Sequence, residues 1–311
     1  MKGTRGRCHD GRSVAAGARR NQLRRCGQGA AALSPSRFAR SGDLKVHYKS
    51  LGEGDTAAVF VHGWCCDHSV WRDQAAGLDG KARLLFLDLP GYGKSDKPRI
   101  DYTMDVFAKG VDAVLRDAGV EQAILVGHSM GTPVVRQFYR RFPGKTKALV
   151  FVDGRLQRFA RDPAEAQKFL SMFKEETFKE TAPKSLAAML PPNTPAALRK
   201  QVETLVANTS PQVAVSSMRG MLLDEKVWKE DPVKVPAQAL MAKSPFWTEE
   251  YKKFVKKLVP DLDYREFDGV GHFLFMERPK AVNEALAEFL KKQGVVKYRQ
   301  RSRPGQRPWD R

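Results

Sequence analysis

An apolar run, Ala123-Ile124-Leu125-Val126, leads straight into Gly127-His128-Ser129-Met130-Gly131 and then into the helical pattern of residues 132–142. A short run without polar alternation reads as a strand buried on both faces, and such strands belong in parallel sheets covered by helices on either side. The chain must therefore turn sharply from strand to helix at a serine. Two glycines without side chains let neighbouring backbone approach the turn, so that the serine hydroxyl projects from the end of the sheet. A serine presented in this way suits nucleophilic acyl transfer.

The rest of the chain alternates in the same manner. Strands are expected over residues 45–50, 57–61, 83–87, 123–126, 148–152, 237–241 and 264–267, with helices over 69–76, 104–118, 133–141, 248–258 and 281–291. That order predicts an α/β protein with a mostly parallel, doubly wound sheet. Between residues 155 and 235 the alternation stops. Apolar clusters at Phe169-Leu170, Met172-Phe173, residues 186–190 and residues 218–223 are spaced helically and broken by Pro191-Pro192, Pro195 and Pro211, which predicts a helical insertion that would lie over the sheet edge as a lid. The expected organisation is a core of residues 36–154 and 236–292, a lid of 155–235, and basic tails at 1–35 and 293–311.

The formal net charge of +19 invites a nucleic-acid reading, but residues 1–40 carry +9 of it, residues 291–311 carry +7, and the 250 residues between carry only +3. Ends rich in Arg, Gly, Ala and Ser hold too little apolar surface to offset the entropy of ordering, so they read as disordered and solvated. An organelle transit peptide at the N-terminus and nonspecific contact with anionic polymer or membrane are the other readings of such a segment. No specific nucleic-acid partner is expected. No apolar run is long enough to span a bilayer, and Cys8, Cys26, Cys65 and Cys66 form no disulfide framework, which points to a reducing, cytoplasmic setting.

Three further segments accompany the serine turn: Val59-Phe60-Val61-His62-Gly63-Trp64 before it, Asp88-Leu89-Pro90-Gly91-Tyr92-Gly93-Lys94-Ser95-Asp96 between, and Gly269-Val270-Gly271-His272-Phe273 near the end. In these residues the chain resembles the α/β-hydrolase superfamily, in motif order and spacing, over roughly residues 36–292. The resemblance implies a nucleophile elbow at Ser129 and an oxyanion hole formed by the backbone N–H groups of Met130 and Trp64. A serine hydroxyl needs a base near neutral pH, and His272, in a glycine-bounded loop after the last strand, is the expected one. His62 and His128 are expected to hold loops, His68 to begin a helix and His47 to sit on an early strand. The acid departs from the common pattern. Most of the superfamily carries it after the strand that here reads Ala237-Gln238-Ala239-Leu240-Met241, yet Ala242-Lys243-Ser244-Pro245-Phe246-Trp247 holds no carboxylate. Asp153, one strand earlier, is the expected acid, with Glu249 or Glu250 as substitutes.

The expected reaction is cleavage of a carboxylic ester, or similar acyl bond, in a small to medium substrate through an acyl-enzyme intermediate. Cys65, Phe173, Met218, Met221 and Trp228 are the expected substrate-lining residues. A lactonase, an amidase, a perhydrolase or haloperoxidase and a carbon–carbon hydrolase would share the triad; a catalytically weak ligand-binding protein on the same fold is the reading of a different class. No metal-ligand cluster or phosphate-binding loop is evident in the sequence, so no cofactor and no metal are expected.

Overall fold

The computed structural model describes residues 33–158, 160 and 162–295. In chain order its elements are β1 (Arg37–Ser41), β2 (Leu44–Leu51), β3 (Thr56–Val61), α1 (Arg72–Leu78), β4 (Arg83–Leu87), α2 (Met104–Ala118), β5 (Gln122–His128), α3 (Gly131–Arg141), β6 (Thr146–Val152), α4 (Pro163–Leu170), α5 (Phe178–Ala187), α6 (Ala196–Asn208), α7 (Pro211–Leu223), β7 (Ala237–Ala242), α8 (Glu249–Leu258), β8 (Leu262–Phe267), α9 (Leu274–Glu277) and α10 (Pro279–Lys292). The strands form one eight-stranded sheet in the order β1-β2-β4-β3-β5-β6-β7-β8. β2 runs antiparallel to both β1 and β4, and every other pair is parallel.

The central strands are apolar because both of their faces are covered. Val59, Phe60, Leu84, Phe86, Ile124, Leu125, Leu149 and Val150 are all fully buried. Helices close over them with ordinary local chemistry: Thr103 caps α2 by accepting the Val106 N–H, and Gly119 ends it in the left-handed conformation. The parallel register aligns the carboxyl ends. Val61 of β3 lies opposite Gly127, His128 opposite Val152, Val152 opposite Leu240 and Ala242 opposite Phe267, so the loops after β3, β5, β6, β7 and β8 emerge along one edge of the sheet. Sites in open α/β sheets form at such an edge.

Four helices, α4 to α7, fill the interval between β6 and β7; α4 packs on α7, and α5 on α6. Both ends of this insertion are fastened to α3. The Arg136 guanidinium is buried and donates to the carbonyls of Leu156, Lys229 and Asp231, at 3.2, 2.7 and 2.8 Å. Burial, with Arg140 beside it, pulls its pKa down to about 10, which still leaves it charged at neutral pH.

Two expectations need correction. β1 was not foreseen: Arg37-Phe38-Ala39-Arg40-Ser41 has little apolar content and is held as an edge strand by its antiparallel pairing with β2. The tail boundaries also move outward. Leu33 is buried and Ser34 exchanges hydrogen bonds with Ser50, while Val295 is buried and its N–H reaches the Leu290 carbonyl past the end of α10. The expectations for residues 1–32 and 296–311, Cys8 and Cys26 among them, lie outside the described residues; Cys65 and Cys66 are buried and unbridged. None of the described helices is long and apolar enough to cross a membrane.

Candidate active site

Ser129 occupies the turn between β5 and α3 with φ +52°, in the left-handed region that L-residues disfavour. Its flanking glycines are required by contact. A Cβ on Gly127 would come within 2.4 Å of the Gly131 carbonyl oxygen, and one on Gly131 within 2.5 Å of the Val61 oxygen. Among the described residues the other non-glycine positions with positive φ are Cys65 (+57°) and Asp153 (+42°). All three follow carboxyl ends of central strands. Each costs on the order of 1–3 kcal/mol, and such strain gathers where geometry has to be held for chemistry.

Asp153 is buried at the end of β6, its N–H bonded to Leu240 O at 2.9 Å. One carboxylate oxygen accepts the Ala242 N–H at 3.0 Å, and the other accepts from His272 Nδ1 at 2.7 Å. The amide at the end of β7, where the acid commonly follows, thus supports a carboxylate from the neighbouring strand. Glu249 and Glu250 are not brought to the imidazole; they are exposed in the first turn of α8, where Glu249 pairs with Lys252 at 3.1 Å.

The His272 loop is tied down at several points. Gly271 N–H donates to Glu277 Oε1 at 3.0 Å, His272 N–H reaches Met189 O at 3.4 Å, and the His272 carbonyl accepts from His128 Nε2 at 2.9 Å. Burial raises the Glu277 carboxyl above its usual value, an effect the Gly271 amide opposes. Bonded Nδ1–H to Asp153, the imidazole carries its lone pair on Nε2, with 19% of the side chain exposed. Among the described residues neither that nitrogen nor the Ser129 hydroxyl has a hydrogen-bond partner.

Trp64, in the loop after β3, and Met130, next in the chain to Ser129, are both buried, and among the described residues neither backbone N–H has an acceptor. The indole of Trp64 is fixed by its Nε1–H to Ala214 O of α7 at 2.9 Å and by edge-on contacts with Phe173 and Phe178. Cys65 is fully buried beside it, its thiol pushed up by burial and by neighbouring Cys66, so it stays protonated and is no nucleophile. Met218 and Met221 lie on α7, and Trp228 after it donates to Met221 O at 2.8 Å; none of the hydrogen bonds or ring contacts among the described residues joins these three to Ser129 or His272.

His62 holds loops as expected, donating from Nδ1 to Gly63 O at 2.8 Å and accepting the Leu89 N–H at 3.0 Å; burial keeps it neutral. His47, His68 and Asp88 have ligand atoms within 4.8 Å of one another, an arrangement of metal-binding type. However, the Asp88 oxygens already accept four N–H donors: His47 Nδ1, His68 Nδ1, and the backbones of His68 and Lys94. The cluster is complete as a hydrogen-bonded joint between β2, the turn at His68 and the loop after β4. His128 likewise holds a loop, that of His272, as expected, although its partner carbonyl carried no signal in the sequence; Glu277 was not foreseen, since neither distance along the chain nor periodicity signals it.

The sequence model of the family described as "alpha/beta hydrolase fold" matches residues 57–279. The chain belongs to the α/β-hydrolase family. This hydrolase is 29% identical over 263 residues to the AB hydrolase superfamily protein YisY of Bacillus subtilis, covering 79% of this chain and 95% of that one. In structure it is similar to a thermophilic esterase from Thermogutta terrifontis (TM-score 0.75, 20% identity, 84% of this chain and 99% of the other) and to a bromoperoxidase from Bacillus anthracis (TM-score 0.68, 20% identity, 83% and 100%). At such identities the likeness concerns the fold, and the choice of chemistry falls to the residues at the site.

Proposed function

We propose that this hydrolase cleaves a carboxylic ester, or a closely similar acyl bond, of a small to medium substrate through a Ser129–His272–Asp153 triad. The observation that carries the reading is the 2.7 Å bond from His272 Nδ1 to Asp153, made at the same sheet edge as a serine held at φ +52°. Ser129 Oγ attacks the carbonyl carbon while His272 Nε2 takes its proton, and the same proton passes to the departing alcohol. Water, deprotonated by His272 in turn, releases the acid from Ser129. Asp153 fixes the imidazole tautomer and stabilises the imidazolium without taking the proton. The unpaired N–H groups of Trp64 and Met130 meet the oxyanion, each worth roughly 10²–10³ in rate. The serine–imidazole hydrogen bond tightens when substrate arrives, as catalytic contacts commonly do.

Residues 155–235 serve as the lid in this reading. Cys65 and Phe173 flank Trp64 on the acyl side, with Met218 and Met221 supplied by α7 and Trp228 by the turn after it. A lactonase, a perhydrolase or a carbon–carbon hydrolase would use the same groups, and a substrate panel separates them.

The test is the intact mass after exposure to a fluorophosphonate. Wild type is expected to gain one adduct and Ser129→Ala none, with ester turnover of the variant lower by roughly 10⁴- to 10⁶-fold. A folded wild type that takes no adduct would overturn the triad and leave a ligand-binding protein as the better account.

A further inference from the structure

His128 ends β5 and directly precedes the serine, yet its side chain serves a loop 144 residues further along the chain. Nε2 lies 2.9 Å from the His272 carbonyl oxygen, which can only accept, so the ring's proton is on Nε2. Nδ1 is therefore a bare lone pair, and it is buried with no hydrogen-bond partner among the described residues. Leaving such an atom unpaired costs about 1–3 kcal/mol, which a purely structural apolar side chain would avoid. The ring fills the space between the three working parts of the site. Gly63 of the oxyanion loop packs so close that a Cβ there would come within 2.8 Å of Nδ1 and 3.0 Å of Ser129 Cβ. The His272 ring centroid is 4.7 Å away, and Phe273, Phe275 and Trp71 enclose the remainder at 5.2, 4.8 and 6.3 Å.

We propose that His128 is a positioning residue that sets the His272 carbonyl, and through it the imidazole, relative to the serine beside it. The inference rests on the triad reading above. Because β5 carries both His128 and the turn to Ser129, one rigid strand fixes the spacing of nucleophile and base. Burial, together with His272, lowers the pKa of His128 well below the usual histidine value, so the ring stays neutral and does not repel the imidazolium formed during turnover.

The experiment uses the full chain labelled with ¹⁵N-histidine. It follows the low-field Nδ1–H resonance of His272, assigned by its loss in H272Q, alongside kcat and KM on a chromogenic ester. H128F keeps a ring but no donor, H128N cannot reach the carbonyl, and H128Q places an N–H where Nε2 was. H128F should broaden the resonance by faster exchange and lower kcat about 10- to 100-fold with KM within about twofold, the size expected for a small misplacement of a reacting group. H128Q should recover most of both. If H128F does not fold, H128N takes its place. An unchanged resonance and kcat in a folded donor-less variant, an H128Q no better than H128F, or a wild type without the resonance would each overturn the proposal, as would a lowered melting temperature as the sole effect. If wild type takes no fluorophosphonate while the resonance still responds as stated, the positioning role stands and the ester-hydrolase reading falls.

Discussion

Among the described residues, histidine–aspartate bonds of almost equal length, 2.8 Å from both His47 and His68 to Asp88 and 2.7 Å from His272 to Asp153, build two centres in very different states of completion. Around Asp88 every strong acceptor position is filled, His47 also engages Ser36 through Nε2 at 2.9 Å, and both side chains are fully buried. At Asp153 the carboxylate accepts two donors, and among the described residues Nε2 of the imidazole has no partner, in a side chain 19% exposed. The same two residue types build a joint in one place and a reactive edge in the other. What distinguishes them is the number of hydrogen-bonding positions left open, together with access to the outside.

The contrast can be broken most forcefully at Asp153. Asp153→Asn should lower ester turnover by roughly 10³- to 10⁴-fold, because the amide no longer enforces the tautomer that leaves Nε2 unprotonated; kcat measured on folded protein checks it, and a change under tenfold would remove Asp153 from the triad. Asp88→Asn should act in the opposite sense. Loss of a buried, multiply bonded carboxylate should cost about 3 kcal/mol in denaturant unfolding, with turnover per folded molecule within a few-fold of wild type.

A pH series sharpens the same comparison. Burial alone would raise the Asp88 carboxyl, but hydrogen bonds from His47 and His68 outweigh it and hold the group well below the usual carboxylate range. A depressed folded value gives stability that is fully present above the unfolded value of about 4 and is lost as pH falls below it toward the folded value. Unfolding midpoints of wild type should therefore fall more steeply below about pH 4 than those of Asp88→Asn, and parallel curves would contradict the assignment. The smallest effect is expected at Glu249 and Glu250. The double change to Gln should leave kcat within about twofold, since neither carboxylate reaches the imidazole.

The parts legible in the sequence were those fixed by strand ends. Ser129 and Asp153 each follow an apolar run and His272 follows the last strand through a glycine-bounded loop, and parallel strands deliver their carboxyl ends to one edge whatever the detailed packing. β1 was not legible because a five-residue edge strand with arginine at its first and fourth positions carries no core pattern. The boundaries of α4 to α7 were obscured for another reason: prolines lie both at helix starts and, as Pro183 does, inside a helix, so they punctuate without saying which way. The His47–His68–Asp88 joint and the partner of His128 were beyond reach, although a loop-holding role for His128 was expected, because each depends on contacts between residues far apart whose spacing follows no period.

One bond has a consequence for how this scaffold can be altered. Since the backbone amide of Ala242, and not a side chain after β7, serves the carboxylate of Asp153, the identity of the residues that follow is uncoupled from the proposed chemistry. The outer part of the connection from β7 to α8, where Phe246 stands 70% exposed, is thus a natural graft point: a new binding loop spliced there leaves the strand end that supplies the amide, the buried Trp247 packed on Tyr251 and the Thr248 cap of α8 in place.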